Sequence, residues 1–184
     1  MVTAAYLEFP VFDSNDRPTD FKDGLPTYAN VTIDYGQGNA GKPLELFLLC
    51  TTCTISYVFG KPDDFASITF VNSEKMVFKS GGEEVKVDFY TTDLTMNAVN
   101  MTDNSETPYA WKMSIGYISP EYQSIAYFDN FLENMLGLAP MLSNDTALLD
   151  RQFIYKFINA PEQAKLGLVE SYAFNGGDTF AMGG

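Results

Sequence analysis

The chain has 184 residues, with 24 acidic against 11 basic side chains, no histidine and two cysteines. A net charge of −13 leaves no basic stripe for nucleic acid or an anionic membrane surface, and the missing histidine removes Ser-His and Cys-His hydrolysis and most zinc chemistry. Hydrophobic residues at 46% and aromatics at 15%, with only 19% charged, describe one core-forming domain over 1–184 rather than a disordered chain.

The first residues, Met1 to Pro10, lack the basic and apolar regions of a secretory leader, so no leader is expected in this chain. Residues 4–12 read as a first strand, with Pro10 marking an edge or a bulge. A polar, turn-rich segment leads on to Pro26. Tyr28 to Tyr35 alternates, setting Val31 and Ile33 against Asn30, Thr32 and Asp34, as a half-buried strand does. The Gly-rich loop 36–41 then leads into Pro43 to Gly60, the longest apolar, β-rich run. That run reads as a strand at Leu44–Leu49, a polar turn at Cys50–Thr54 and a second strand at Ile55–Phe59.

Beyond a turn at 61–66, short strands are expected at Ile68–Val71, Met76–Phe78 and Glu84–Tyr90, separated by Asn-Ser and Ser-Gly-Gly turns. Val85, Val87 and Phe89 alternate cleanly with Lys86, Asp88 and Tyr90. Leu94–Val99 and Tyr109–Ile118 come next as separate strands around a polar loop. Residues 129–136 suggest one helical turn. Thr146 to Ile158 has apolar residues at helical spacing with Asn144 or Asp145 as cap, and is the one main helix expected. Strands at Leu168–Phe174 and Thr179–Met182 close the chain. The expected fold class is mainly β, an antiparallel barrel or sandwich.

Three features carry chemistry. Cys50-Thr51-Thr52-Cys53 is a C-x-x-C motif; a structural disulfide, a pair of buried thiols and a redox couple are all open to it. No helix is expected after Cys53 to stabilise a thiolate, which counts against the redox use. Asn30, Asn100 and Asn144 each begin an N-x-Ser/Thr sequon and are candidate glycosylation sites; with them the balance tilts toward a secreted or cell-surface protein. Asp34, Asp88, Asp93 and Asp129 border turns, where surface solubility explains them. Trp111 and Tyr109 fit packing, and the aromatic stretch Tyr117–Phe128 fits either a contact surface or a covered sheet face. No metal site and no cofactor are expected.

The order of these segments resembles the N-terminal lobe of pepsin-like aspartic proteases. Tyr28–Ile33, the loop to Pro43 and Leu46–Leu49 resemble the strands that lead into that family's catalytic Asp-Thr-Gly turn, with Tyr57-Val58 at its Trp-Val. Glu133–Ala139 resembles the segment packed behind the active-site loop, and Gly176–Gly184 the glycine-rich run near the end of the lobe. The resemblance places Cys50 at the catalytic Asp, Thr51 at the Thr, Thr52 at the Gly and Cys53 at the first Ser, so the active-site loop is degenerate. It makes Phe89 the flap-like residue, where the family has Tyr. It also supplies the tight turn that a Cys50–Cys53 bridge requires, because a fully extended i to i+3 span of about 10 Å exceeds disulfide reach.

The resemblance and the degenerate loop together imply a non-catalytic, protease-like domain acting outside the cell as a binding or structural component. Its partner would be another protein, a second lobe or a copy of itself. The alternative is one lobe of a larger or two-chain protease, and a thiol-disulfide protein is the weaker third. Ala4–Phe9 and Leu44–Leu49 carry few charges and are expected as the strand edges that such a partner covers. Membrane insertion is not expected, since no apolar run reaches the roughly 20 residues that span a bilayer.

Overall fold

The computed structural model describes residues 6–13, 15, 27–34, 44–60, 67–77, 84–99, 103, 105–124, 134–141, 143–158, 171–174 and 179–183. The strands are β1 (Tyr6–Pro10), β2 (Tyr28–Asp34), β3 (Leu44–Cys50), β4 (Tyr57–Phe59), β5 (Thr69–Met76), β6 (Val85–Val99), β7 (Glu106–Ile118), β8 (Asn134–Gly137), β9 (Ser171–Phe174) and β10 (Thr179–Gly183). Helices are short: a 3-10 turn at Pro120–Ser124, α1 (Thr146–Leu149) and α2 (Phe153–Ile158).

Pairing closes on itself. Following hydrogen-bonded neighbours from β2 through β3, β8, β4, β7 and β6 returns to β2, which makes a six-stranded barrel among the described residues. Closure removes edges, and with them the unpaired backbone groups that would otherwise face solvent. The β2–β3 hairpin is antiparallel from Tyr28↔Leu48 to Thr32↔Leu44, as alternation along β2 and the glycine-rich connection predict. β8 joins β3 in parallel and β4 joins β7 in parallel, so the barrel is mixed rather than purely antiparallel. Outside the barrel, β1 leaves β6 at the Glu8↔Val99 pair and continues the sheet through β10 to β9.

Two apolar clusters sit on opposite faces of this sheet. Val31, Ile33, Phe47, Leu94, Trp111 and Ile115 belong to the larger one, closed by Phe153 of α2, whose ring meets Trp111 edge-on at 5.0 Å. Tyr28, Leu48, Tyr57, Val87, Phe89 and Met135 form the second. A strand buried on both faces reads as an unbroken apolar run. β3 is such a strand: Phe47 and Leu49 enter one cluster, Leu48 the other.

Several sequence expectations change. Glu84–Tyr90 and Leu94–Val99 are one strand, the 15-residue β6. Its odd residues Val85, Val87 and Phe89 pack in the second cluster, and its even residues Leu94, Met96 and Ala98 in the first. The buried face changes because the strand leaves one core for the other, and in sequence that change looks like a break at Thr91–Asp93. The expected turn at Asn72-Ser73 is instead part of a continuous β5, both residues paired with β6, and a β-bulge lies just before them at Val71, where the register shifts between Phe70 and Asn72. Residues 134–136 of the expected helical turn are strand β8 instead, held by parallel pairing with β3.

The main helix expected over 146–158 is interrupted at 150–152. Asp145 caps α1 as expected, its side chain accepting from the Ala147 N–H at 2.9 Å. The Asp150 carbonyl then accepts from Ser114 N–H of β7 at 2.8 Å, and Arg151 and Gln152 N–H close three-residue turns onto Leu148 and Leu149. The chain gives up helical bonding there to dock on the barrel and bury Arg151. Both expected edges are paired internally. β1 is covered along its length by β10, and β3 lies between β2 and β8. Asn100, Asp129, Tyr127, Phe128 and the loops 16–26, 36–41 and 61–66 lie outside the described residues.

Candidate functional site: the Cys50–Cys53 loop

β3 delivers Cys50 at its last residue, and the chain turns at once. Cys53 N–H reaches back toward the Cys50 carbonyl at 3.4 Å, which brings the two Cα atoms to 5.3 Å, within disulfide reach, and the two sulfurs are bonded. Thr51 and Thr52 at the tip are exposed, while both cysteines are half-buried against the second apolar cluster. The turn gives way to Thr54–Ser56 without regular structure and then to β4.

What fixes the loop is β8 and the residues after it. Leu138 N–H donates to the Cys50 carbonyl and Ala139 N–H to the Cys53 carbonyl, each at 2.9 Å. Gly137 N–H donates to Ser56 Oγ at 3.0 Å, and Gly116 N–H of β7 to the Ser56 carbonyl at 2.9 Å. Ser56 is itself buried, so its hydroxyl and carbonyl are tied where an unmade bond would be expensive. Gly137 is needed for this approach: a Cβ there would lie 2.3 Å from the Ile55 carbonyl oxygen and 2.8 Å from that of Cys53. The Asn134–Ala139 segment thus packs directly against the 50–56 loop. At the start of the same strand, Asn134 spans Glu45 of β3 and the Phe59 N–H of β4, at 2.8 and 3.0 Å.

Phe89, expected as the flap-like residue, lies fully buried in β6, paired with Asn72 and Gly116. The Arg151 guanidinium stacks over its ring at 3.8 Å from the centroid. Of the sequons, Asn144 is exposed beside α1, whereas Asn30 is half-buried in β2. Asn30 and Thr32 line a groove of about 120 Å³ with Phe9, Phe12 and Met96.

One cluster has no counterpart among the sequence expectations. Arg151, only 3% exposed, donates to both Glu74 carboxylate oxygens at 2.6 and 2.9 Å and to Asn72 Oδ1 at 3.1 Å. These bonds hold the Glu74 carboxyl below the usual range. A lone Arg amid apolar residues of a predicted helix is the only signal in the sequence, and its partners are 77 and 79 residues away. The arrangement clamps β5 to the α1–α2 junction. Among the described residues, no group of three or more His, Cys, Asp or Glu side chains is placed to hold a metal ion.

No protein-family profile matches the chain, and no curated protein matches it. Among solved structures it is similar to conglutin gamma, a basic 7S globulin from lupine seeds, with a TM-score of 0.50 and 9% identity. The alignment covers 85% of this chain and 43% of that one, so this chain spans less than half the length of the protein it matches. At this identity the likeness concerns the fold alone: a β-rich domain built around a barrel.

Proposed function

We propose that this chain is a non-catalytic β domain that works outside the cell or at its surface as a binding or structural component, in association with a second protein body. One observation carries the reading. Where the resemblance to an aspartic-protease lobe puts the catalytic carboxylate, the chain holds a sulfur closed into the Cys50–Cys53 disulfide. Aspartic proteolysis needs two carboxylates sharing a proton about a water. A disulfide sulfur carries no ionisable proton and offers no carboxylate oxygens to position that water. The bridge also supports an oxidising compartment, where such bonds persist, and the exposed Asn144 sequon agrees with it.

A second reading, one lobe of a larger or two-chain protease, draws on the partial coverage of a longer chain. In that case the other body would supply the chemistry. A thiol-disulfide function is less well supported, because no helix occupies 54–59 after Cys53 to stabilise a thiolate.

Two measurements test the proposal. The isolated chain should leave an unstructured protein substrate intact between pH 3 and pH 5; cleavage blocked by a transition-state peptide inhibitor would overturn the non-catalytic assignment. Native material isolated without denaturant should sediment above the 20.4 kDa of one chain. A lone monomer with nothing co-purifying would overturn the associating role.

A further inference from the structure

Side chains along β2 alternate between two faces, as in any strand. Ala29, Val31 and Ile33 enter the larger apolar cluster, so Asn30 and Thr32 share the opposite face. Both line the groove of about 120 Å³. They are also the acceptor amide and the hydroxyl of the Asn30-Val31-Thr32 sequon. The two residues that define the sequon therefore border one cavity. Pro10, Phe12, Thr95, Asn97 and Glu106 contribute to the rest of its lining. Asn97 and Glu106 are exposed and joined, with Asn97 Nδ2 donating to Glu106 Oε2 at 3.0 Å.

This lining suits a neutral sugar. Its amides and hydroxyls match ring hydroxyls and an acetamido group, and Phe12 and Pro10 offer apolar surface to the C–H face of a pyranose. Sites for drug-sized ligands run from about 300 to 1,000 Å³, so this one has room for about a single ring. Glu106 is the one charged group in the lining, in a chain of net charge −13, and it disfavours an anionic occupant. We propose that Asn30 carries an N-linked glycan whose first N-acetylglucosamine is seated in this groove. Attachment selects the occupant: a sugar bonded to Asn30 Nδ2 is held at the groove at an effective concentration that free saccharides do not reach. In the transfer, Nδ2 bonds to C1 of the sugar as the C1–O bond to a lipid diphosphate donor breaks; one amide proton is lost and the lipid diphosphate leaves. Asn30 is half-buried and paired with Leu46, so transfer precedes the closing of β2 on β3 and the sugar is seated as the barrel forms.

This inference rests on the proposed extracellular role, because the glycosyl donor is met on the secretory route. It is tested on the full 184-residue chain, in native material and in protein secreted from eukaryotic cells, by peptide mass before and after a glycosidase that leaves Asp at each released Asn. Asn30 should be occupied. From the folded protein its glycan should be released at least about tenfold more slowly than from folded Asn97→Trp, where an indole at the groove competes with the sugar. After denaturation the two rates should coincide. Asn97 is exposed, so circular dichroism of the two proteins should also coincide. Equal release rates from the two folded proteins refute the seating in the groove. A bare Asn30 overturns the inference. With Asn144 glycosylated or the Cys50–Cys53 bridge intact in that native protein, the extracellular role still stands; with both sequons bare and both thiols free, the role falls as well.

Discussion

Replacing Gly137 with Ala is the sharpest test of how the loop is held. The added Cβ would sit 2.3 Å from the Ile55 carbonyl oxygen, where ordinary contact begins at 3.4 Å, and 2.8 Å from the Cys53 carbonyl oxygen. Both obstacles are backbone, so no rotamer change relieves them. β8 or the 53–56 segment must retreat by about an ångström, a shift that overpacked cores resist. Three hydrogen bonds cross this gap: Gly137 N–H to Ser56 Oγ, Leu138 N–H to Cys50 and Ala139 N–H to Cys53, at 2.9 to 3.0 Å. An ångström longer, all three are effectively broken, at about 1 kcal/mol each. The expected loss is therefore about 3 kcal/mol, or about 6–12 °C in Tm for a domain of this size. Trp111, the single tryptophan and buried in the barrel, reports unfolding by fluorescence. A Tm within about 2 °C of wild type, with the disulfide intact, would refute the close packing of β8 on the loop.

Intact protein should take up no alkylating reagent without reductant and two equivalents after reduction; the Cys50→Ser, Cys53→Ser double variant should lose about 2 kcal/mol in urea unfolding, the loop-entropy value for so short a ring. Because Arg151 lowers the Glu74 pKa in the folded state, that contribution is fully present above the usual glutamate range. It is lost as pH falls through the lowered native value, so wild type should lose more stability than Glu74→Gln on acidification below about pH 5. Equal acid sensitivity of the two proteins would contradict the clamp. Arg151→Met should destabilise in urea by about 3 kcal/mol, the lower end for breaking a buried pair, because Glu74 stays partly solvated. Expressed through a eukaryotic secretory route, the chain should carry glycan at exposed Asn144, read by peptide mass before and after glycosidase; an unoccupied Asn144 would remove the support that sequon gives to secretion.

Part of the sheet is legible in the residues. Alternation along Tyr28–Asp34 and the apolar run at Leu44–Leu49 yield the β2–β3 hairpin, and the segments at the C-terminus yield β9 and β10, because period and turn chemistry are local properties. The Cys50-x-x-Cys53 spacing leaves three states open, and the turn held by Leu138 and Ala139 N–H joins the two sulfurs and so sets aside the pair of free thiols. Tertiary structure decides wherever a residue's partner lies far along the chain. β6 runs unbroken past a change of buried face because two separate cores await its two halves. β8 is a strand because β3 lies beside it, and its four residues carry no strand signal of their own. The predicted helix breaks at Asp150 because Ser114 takes its carbonyl, and Arg151 turns inward because Glu74 meets it from across the sheet. The edges expected from the residues, β1 and β3, are covered by β10 and β8, while β5 keeps one side open among the described residues. Local pattern sets which face of a strand is apolar; which strand stands at a boundary depends on how the whole chain closes.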